Sequence, residues 1–255
     1  MKDEDTEFKD DLLENHDYQI DKKLERTKRR RNKKILNYRD KIKPVLPKTE
    51  NQSKLFDSFF RERHILLHGC AGTGKSYCAI YLALYELFYG KYDKIIILRS
   101  SVPTRDIGFL PGTLEEKINL YESPYEEIVD DLLHRKGAYN DLKKDEVLEF
   151  KNTSFLRGLT WTNSLVIIDE AQNCTWHEMC SLVTRIGEGS RLIILGDVDQ
   201  NDLNHQRKTE KSGLESAILV CQNMNSFDVI EFGVDDILRS DFVKEFLTIK
   251  KKLKL

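Results

Sequence analysis

The sequence predicts an α/β fold with a mainly parallel sheet and helices on both of its faces. Short, continuous apolar runs recur along the chain, as is typical of strands that are buried on both faces. Stretches with a helical spacing of apolar residues separate these runs, which favours parallel strands joined by crossover helices. A glycine-rich segment stands between the first apolar run and the helix that follows it.

Five strands and four helices follow from this pattern in chain order. The strands are predicted at residues 64–68, 94–98, 165–168, 192–195 and 227–232. The helices are predicted at residues 75–89 and near 114–135, 175–187 and 212–223. A chain of 255 residues is long enough for one substantial core of this kind plus a small appendage.

The beginning of the chain separates its charges strongly. Residues 1–17 hold eight Asp or Glu, and residues 22–43 hold twelve Lys or Arg against Glu25 and Asp40. A nucleic-acid backbone would attract the basic stretch without sequence preference. The alternative is a solvated tail, whose basic part is masked by pairing with the acidic stretch.

A domain boundary is expected near Pro44 and Pro47, because proline cannot continue a helix and biases its neighbours towards extended backbone. Residues 1–43 have little sustained apolar periodicity, so we expect a mobile or helical extension without its own core. Residues 44–255 then form the folded domain.

Composition excludes several classes of protein. No run approaches the length of about 18 apolar residues that a membrane-spanning helix requires. The N-terminus lacks the apolar segment of a secretory signal. The five cysteines are odd in number and form no C-x-x-C pair, so we expect reduced thiols in a cytoplasmic protein.

A phosphate-binding loop is predicted at residues 69–76. The segment reads Gly-Cys-Ala-Gly-Thr-Gly-Lys-Ser and matches the pattern G-x-x-x-x-G-K-[ST] between a strand and a helix, a context that argues against a chance turn. Lys75 would contact the β- and γ-phosphates of ATP, and the Ser76 hydroxyl would ligate Mg²⁺. The expected nucleotide-binding residues of the loop are Gly69, Cys70, Ala71, Gly72, Thr73, Gly74, Lys75 and Ser76.

Two acids end the third predicted strand, and the carboxyl end of a parallel strand lies at the same sheet edge as the loop. Asp169 would hold the hydration shell of Mg²⁺. Glu170 would orient or deprotonate the attacking water. A strand that simply meets solvent is the alternative, but the preceding loop favours the functional interpretation. The combination predicts a P-loop NTPase fold in which Lys75 and Glu170 serve catalysis.

Two glutamines are further candidates. Gln200 follows the fourth predicted strand and would sense the γ-phosphate or position the water, unless it belongs to an ordinary polar turn. Gln52 lies just upstream of the first strand, where an amide can pair with the N6 and N7 edge of adenine. A surface glutamine is the alternative for Gln52, and the sequence alone does not separate the two.

With these motifs laid out, residues 51–247 resemble the PhoH-like family, phosphate-starvation-inducible ATPases often carried by bacteria and their phages. The family loop G-P-A-G-T-G-K-T differs here at Cys70 and Ser76. Other matching segments are residues 108–112, 114–117, 155–158, 169–173, 184–187, 196–197 with Gln200, 212–214 and 236–240. The resemblance implies a RecA-like core similar to superfamily 1 helicase motors, ATPase activity and links to RNA.

The chain departs from the family pattern after the second strand. Residues 98–101 read Leu-Arg-Ser-Ser where the family usually has Thr-Arg-Pro. In helicase-like proteins that region touches nucleic acid, so the departure weakens any inference about how a strand is engaged.

The resemblance also singles out three arginines, Arg99, Arg185 and Arg239. Any of them would suit an arginine finger, which stabilises the charge of the transferring γ-phosphoryl group. A surface salt bridge is the alternative for each, and Arg185 would also suit the C-terminal end of its predicted helix. We favour Arg239 as the finger.

Three functions are compatible with these observations. The first is an ATPase that acts on or with single-stranded RNA or DNA. Because a helicase motor places ATP between two cores and this chain has room for one, we expect a homo-oligomer, such as a ring, with the finger supplied across the interface. The second is a small-molecule kinase, which Glu170 and Gln200 argue against because both suit water activation. The third is a nucleotide-dependent scaffold with slow turnover.

Because the family it resembles occurs in bacteria and their phages, the resemblance also implies that the protein is located in the cytosol of a bacterium or of a phage-infected host.

Overall fold

A computed structural model describes residues 35–100, 114–153, 158, 160–198, 200 and 212–253, with side chains omitted at 114–118. Six strands form one sheet in the order β3-β2-β4-β5-β1-β6, and every neighbouring pair is parallel. The strands are β1 His64–Gly69, β2 Lys94–Arg99, β3 Leu148–Asn152, β4 Ser164–Asp169, β5 Arg191–Gly196 and β6 Phe227–Phe232.

Helices connect these strands and cover the sheet. They are α1 Glu50–Phe60, α2 Lys75–Phe88, α3 Leu114–Leu132, α4 Ala138–Lys144, α5 Trp176–Val183, α6 Leu214–Gln222 and α7 Asp241–Leu253, with 3₁₀ turns at Ala171–Asn173 and Val234–Asp236. In the described part of the chain, no helix combines the length and the apolar character needed to cross a membrane. All five cysteines are described, and no disulfide joins them.

The sheet has a separate apolar core on each face, as a parallel sheet covered on both sides requires. On β1, Ile65 and Leu67 face one core, which includes side chains of α1, α2, α3 and α4. Leu66 faces the other core, which α5 and α6 cover. The predicted α/β fold with a parallel sheet and helices on both faces is therefore confirmed.

All five predicted strands are present, but a sixth, β3, was not predicted. β3 lies at the edge of the sheet and pairs only with β2 in the described structure. Its sequence Leu-Glu-Phe-Lys-Asn alternates apolar and polar residues and is only half-buried, so it lacks the continuous apolar run of β1, β2, β4 and β5. The short helix α4 and the helices α1 and α7 were also not predicted.

The helix predicted at residues 175–187 ends four residues earlier than predicted. α5 begins with a capping box, in which Thr175 and Glu178 satisfy each other's backbone N–H groups, and it ends at Val183. The prediction extended this helix to residue 187. After Val183 the chain instead turns so that Ile186 forms a bridge with Trp161.

The described part of the charged extension packs on the domain. Ile35 is buried, and Tyr38 stacks on Phe88 with ring centres 5.5 Å apart. The guanidinium of Arg39 lies 3.9 Å from the ring centre of Tyr89. Residues 35–43 thus share the core of the domain, which was not expected, while residues 1–34 lie outside the described residues. The boundary near residue 44 stays a prediction.

Candidate functional site

A cavity of about 400 Å³ opens at the carboxyl edge of the sheet, where β1, β4 and β5 end. This is the edge at which open α/β sheets bind their ligands. The lining residues are Ala71, Gly72, Thr73, Gly74, Lys75, Ser76, Tyr77, Ile128, Asp169, Glu170, Gln172, Gly196, Asp197, Gln200 and Arg239. The fold thus brings together most of the residues predicted from separate motifs, and Gly69, Cys70, Gln52, Arg99 and Arg185 are not among the lining residues.

The tight path of the phosphate loop depends on its first glycine. Gly69 has φ +116°, a conformation that side chains rarely adopt, and a Cβ there would lie 2.1 Å from the carbonyl oxygen of Phe232. The backbone of β6 therefore leaves room only for glycine. From there the loop turns through residues 70–74, and α2 begins at Lys75. The N-terminus of α2 therefore lies at the edge of the cavity.

Lys75 places its ammonium group inside the loop. Nζ donates to the carbonyl oxygens of Gly69 at 2.8 Å and Cys70 at 2.7 Å. Burial lowers the pKa of Lys75, and the carboxylates of Asp197 and Asp169 oppose that effect. The ammonium group is therefore a partly desolvated donor held beside the cavity.

Asp169 is a buried carboxylate with both oxygens hydrogen-bonded. Oδ1 accepts from the backbone N–H of Glu170 at 2.9 Å, and Oδ2 accepts from the hydroxyl of Tyr125 at 3.0 Å. Burial raises the pKa of Tyr125 well above its ordinary value, so this hydroxyl stays a donor. Tyr125 lies on α3 and was not predicted as a site residue, because nothing in its local sequence marks it.

Glu170 follows β4 directly and adopts φ +53°, a left-handed backbone conformation. Its side chain lines the cavity. Burial raises the pKa of Glu170, and the charge of Asp169 adds to the increase, whereas Arg99, Gln172 and Lys75 oppose it. A carboxylate with a raised pKa is a stronger base than an exposed one, which suits abstraction of a proton from water.

Gln172 connects the two acidic segments of the cavity. Its Nε2 donates to Oε2 of Glu170, and its Oε1 accepts from the backbone N–H of Asp197 at 3.0 Å. The side chain is buried, so these contacts orient Glu170 rather than compete with solvent. The sequence marked Gln172 only as part of a matching segment.

Gln200 lies at the exposed rim of the cavity, where its backbone N–H donates to the carbonyl oxygen of Asp197 at 3.2 Å.

Gln52 is buried against the loop and is only 2% exposed, so the alternative of a surface glutamine is wrong. Its Nε2 donates to the carbonyl oxygen of Thr73 at 3.0 Å, and its Oε1 accepts from the backbone N–H of Lys48 at 2.8 Å. Contact with adenine stays a prediction, and it would require the amide to exchange these partners.

Arg239 lines the cavity of its own chain. The backbone N–H of Leu238 donates to the carbonyl oxygen of Gly72 at 3.0 Å, and a Cβ at Gly72 would lie 2.9 Å from Cγ of Arg239. The segment that carries Arg239 packs directly on the loop of the same chain, and action on a neighbouring subunit's nucleotide stays a prediction.

Asp236 anchors the segment that carries Arg239. The carboxylate is 3% exposed, and Oδ2 accepts from Nδ2 of Asn51 at 2.8 Å and from the N–H of Gly233 at 2.9 Å. Burial acts to raise the pKa of Asp236, but hydrogen bonds from Thr49, Asn51 and Gly233 outweigh it and lower the pKa. α1 and the Arg239 segment are therefore tied together beside the loop.

The other two candidate arginines lie elsewhere. The guanidinium of Arg99 donates to the carbonyl oxygen of Tyr121 at 3.3 Å and lies 5.4 Å from that ring's centre. Arg185 lies beyond the end of α5, not late in the helix as predicted, and its carbonyl oxygen accepts from the N–H of Trp161 at 2.9 Å. Their positions favour Arg239 over both as the arginine of this cavity.

The donor set at the cavity fits Mg²⁺ shared with phosphates. Among the described residues, no group of three or more His, Cys, Asp or Glu is arranged to hold a metal ion by itself. Mg²⁺ in nucleotide sites typically takes one or two protein ligands and completes its shell with phosphates and water. Ser76 and Asp169, which both line the cavity, supply such ligands.

Several predicted segments cannot be compared with the structure. Residues 108–112 and 155–157, Asp199 and the basic residues 22–34 lie outside the described residues.

The parallel sheet, the loop between β1 and α2 and the acids at the end of β4 define a P-loop NTPase fold. The chain belongs to the PhoH-like protein family, because residues 44–251 match the family model described as "PhoH-like protein". This confirms the resemblance found in the sequence.

Similar proteins carry the same description. The "PhoH-like protein" of Mycobacterium leprae is 34% identical over 206 residues, which cover 80% of this chain and 58% of the relative. The "PhoH-like protein" of Bacillus subtilis is 34% identical over 208 residues, covering 81% and 64%. "Protein PhoH" of Escherichia coli is 32% identical over 205 residues, covering 77% and 55%. The chain thus spans less than two thirds of these relatives.

Two solved structures show a weaker similarity. The Pif1 helicase from Candida albicans has a TM-score of 0.42 and 17% identity, covering 82% of this chain and 44% of that one. The Sulfolobus solfataricus SWI2/SNF2 ATPase core in complex with dsDNA also has a TM-score of 0.42, with 13% identity, covering 76% and 45%.

Proposed function

We propose that this protein binds ATP with Mg²⁺ in the cavity and hydrolyses the γ-phosphate. The observation that carries the proposal is the convergence of Lys75, Asp169, Glu170 and Arg239 on one cavity of about 400 Å³. These residues come from β1–α2, β4 and the segment after β6, so their meeting is a property of the fold. Each belongs to a residue type that phosphoryl transfer uses.

The loop would hold the phosphates. Backbone N–H groups of residues 71–74 and the N-terminus of the 14-residue helix α2 would provide donors and positive potential for an anion. The Lys75 ammonium group would exchange the carbonyl oxygens of Gly69 and Cys70 for β- and γ-phosphate oxygens. When bound, Mg²⁺ would offset the negative charge of the phosphates. The Ser76 hydroxyl and the Asp169 carboxylate would hold it.

Glu170 would act on the attacking water. Its raised pKa makes it a stronger base, and the hydrogen bond from Gln172 orients the carboxylate. Gln200 at the rim would complete the contacts to water or to the γ-phosphate. Water-directed groups favour hydrolysis over transfer to a second small molecule, so we retain the ATPase over the kinase.

Arg239 would stabilise the charge on the transferring phosphoryl group from within the same chain. Its contact with Gly72 keeps it beside the loop without help from a neighbour. We further propose that the protein acts with single-stranded RNA or DNA as a homo-oligomer. That part rests on the family, on the single core and on the basic stretch at 22–43.

Two measurements test the proposed function. Isothermal titration should show ATP binding that tightens with Mg²⁺, and a phosphate-release assay should show turnover. Single-stranded RNA or DNA should increase that turnover. A chain that binds no nucleotide refutes the proposal, whereas binding with negligible turnover, even with nucleic acid, supports the slow scaffold instead.

A further inference from the structure

We propose that Tyr125 is a positioning residue for the Asp169 carboxylate and thereby determines how tightly Mg²⁺ binds with the nucleotide. The inference rests on the proposed function of the cavity. Tyr125 does not line the cavity, so it would act through Asp169 and not on the nucleotide itself.

The geometry leaves the carboxylate little freedom. Tyr125 is 2% exposed and its hydroxyl lies 3.0 Å from Oδ2 of Asp169, while the backbone N–H of Glu170 lies 2.9 Å from Oδ1. A donor on each oxygen fixes the rotation of the carboxylate about χ2. Each oxygen has lone pairs left over, and Asp169 also lines the cavity. The pair of donors therefore limits which lone pairs of Asp169 would remain free to hold a metal ion.

The Tyr125 ring is itself held from two sides. Phe150 of β3 packs against it with ring centres 5.5 Å apart. The guanidinium of Arg99 lies 6.0 Å from its ring centre and donates to the carbonyl oxygen of Tyr121, one turn earlier on α3. Arg99 is the parallel partner of Asp169 across β2 and β4. These contacts connect α3 to β2 and β3, and β2 is the neighbour of the strand that carries Asp169. They indicate a structural role for Arg99, which differs from its predicted role as an arginine finger.

A purely apolar role for Tyr125 does not account for its hydroxyl. A buried hydroxyl costs free energy unless it is hydrogen-bonded, and phenylalanine would fill the same space without that cost. Here the partner is the carboxylate proposed to hold Mg²⁺. Hydrogen bonds to metal-binding groups orient them, and their loss typically weakens metal binding about 10- to 100-fold.

The chain offers a matched control. Tyr139 on α4 is also buried, and its hydroxyl donates to Oε1 of Glu122 at 2.6 Å. Neither residue lines the cavity. Tyr139→Phe therefore removes a buried hydroxyl from a carboxylate, as Tyr125→Phe does, without touching Asp169.

The test compares metal binding in the full-length wild type, Tyr125→Phe and Tyr139→Phe. Electron paramagnetic resonance measures Mn²⁺ affinity in the presence of a non-hydrolysable ATP analogue, and titration in EDTA measures metal-free nucleotide affinity. We expect Tyr125→Phe to weaken Mn²⁺ binding about 10-fold and to leave the EDTA value unchanged. Tyr139→Phe should change neither. In an Asp169→Ala background, Tyr125→Phe should cause no further loss.

A second variant guards against a loss of folding in Tyr125→Phe. Phe150→Leu keeps the hydroxyl but loosens the support of the ring, so it should give a smaller loss of Mn²⁺ affinity in the same direction. If the wild type needs Mg²⁺ or Mn²⁺ while Tyr125→Phe matches Tyr139→Phe, the inference is wrong and the proposed function stands. A wild type whose nucleotide binding ignores the metal would overturn both.

Discussion

Arg239→Ala tests whether this arginine completes the phosphate site of its own chain. The hydrogen bond from Leu238 to the carbonyl oxygen of Gly72 measures 3.0 Å, and a Cβ at Gly72 would lie 2.9 Å from Cγ of Arg239. Asp236 fixes the same segment through Asn51. Because these contacts are all within one chain, they place Arg239 at the cavity of that chain.

The expected loss is large and falls on turnover. Removing an arginine that stabilises a transferring phosphoryl group costs about 10³-fold or more in rate. That factor corresponds to about 4 kcal/mol of activation free energy. Affinity for a non-hydrolysable ATP analogue should fall far less, because the charge that Arg239 would stabilise develops in the transition state. Arg239→Lys should recover only part of the rate, since lysine lacks the forked donors.

Mixing variants separates action within a chain from action between chains. We expect Arg239→Ala mixed with Lys75→Ala to release phosphate no faster than either variant alone, in every ratio, because no chain in the mixture has both groups. Wild type mixed with Lys75→Ala is the control, and its rate should fall in proportion to the fraction of wild-type chains. Recovery of activity in the variant mixture would refute the placement within one chain, and a parental rate for Arg239→Ala would refute any role in turnover.

Three further outcomes follow from the structure. Lys75→Ala should weaken nucleotide binding and abolish turnover, whereas Glu170→Gln should keep binding and lose hydrolysis, as measured by titration and phosphate release. Asp236→Ala should lower the free energy of unfolding by about 1–3 kcal/mol in urea, because it leaves buried N–H groups without an acceptor. The fold lowers the pKa of Asp236, so the ionised carboxylate stabilises the folded state fully at a pH above its unfolded-state pKa of about 3.9. That contribution is lost as the pH falls from there through the lower folded-state pKa. Removing residues 1–34, but not the packed residues 35–43, should flatten the salt dependence of binding to single-stranded RNA by a slope of about 0.7 per lost phosphate contact.

A specific result would contradict each of these three predictions. Parental hydrolysis by Glu170→Gln would remove that residue from the reaction. An Asp236→Asn variant with the same acid-side loss of stability as the wild type would show that another group is responsible. An unchanged salt slope after truncation would show that the basic arm is not the element that binds nucleic acid. Tighter binding after removal of residues 1–17 alone would show that the acidic stretch masks the arm.

Local sequence accounts for the main strands and for the centre of the site. Continuous apolar runs predicted four of the five strands, because a strand covered on both faces must be apolar throughout. The loop at residues 69–76 was predictable because its glycines, lysine and serine serve a geometry that is formed within a few residues. Asp169 and Glu170 could be added because parallel strands end at one edge.

The edge strand β3 was not predictable from local sequence. Half-buried and alternating, its sequence resembles that of an exposed loop or a short helix until its pairing with β2 is known. Gln52 shows the same limit for a side chain. Its place under the loop depends on how α1 packs against β1 and β6, which no local pattern contains.

Local sequence therefore predicts the fold class, the phosphate loop, the acid pair and the family, because each depends on short-range order. The packed fold alone shows that Arg239 lines the cavity of its own chain. It also shows that Gln172 connects Glu170 to Asp197 and that Tyr125 donates to Asp169. These partners are separated by up to 167 residues, as between Gly72 and Arg239. Contacts over such separations arise from the order of strands in the sheet, which places the ends of distant segments side by side.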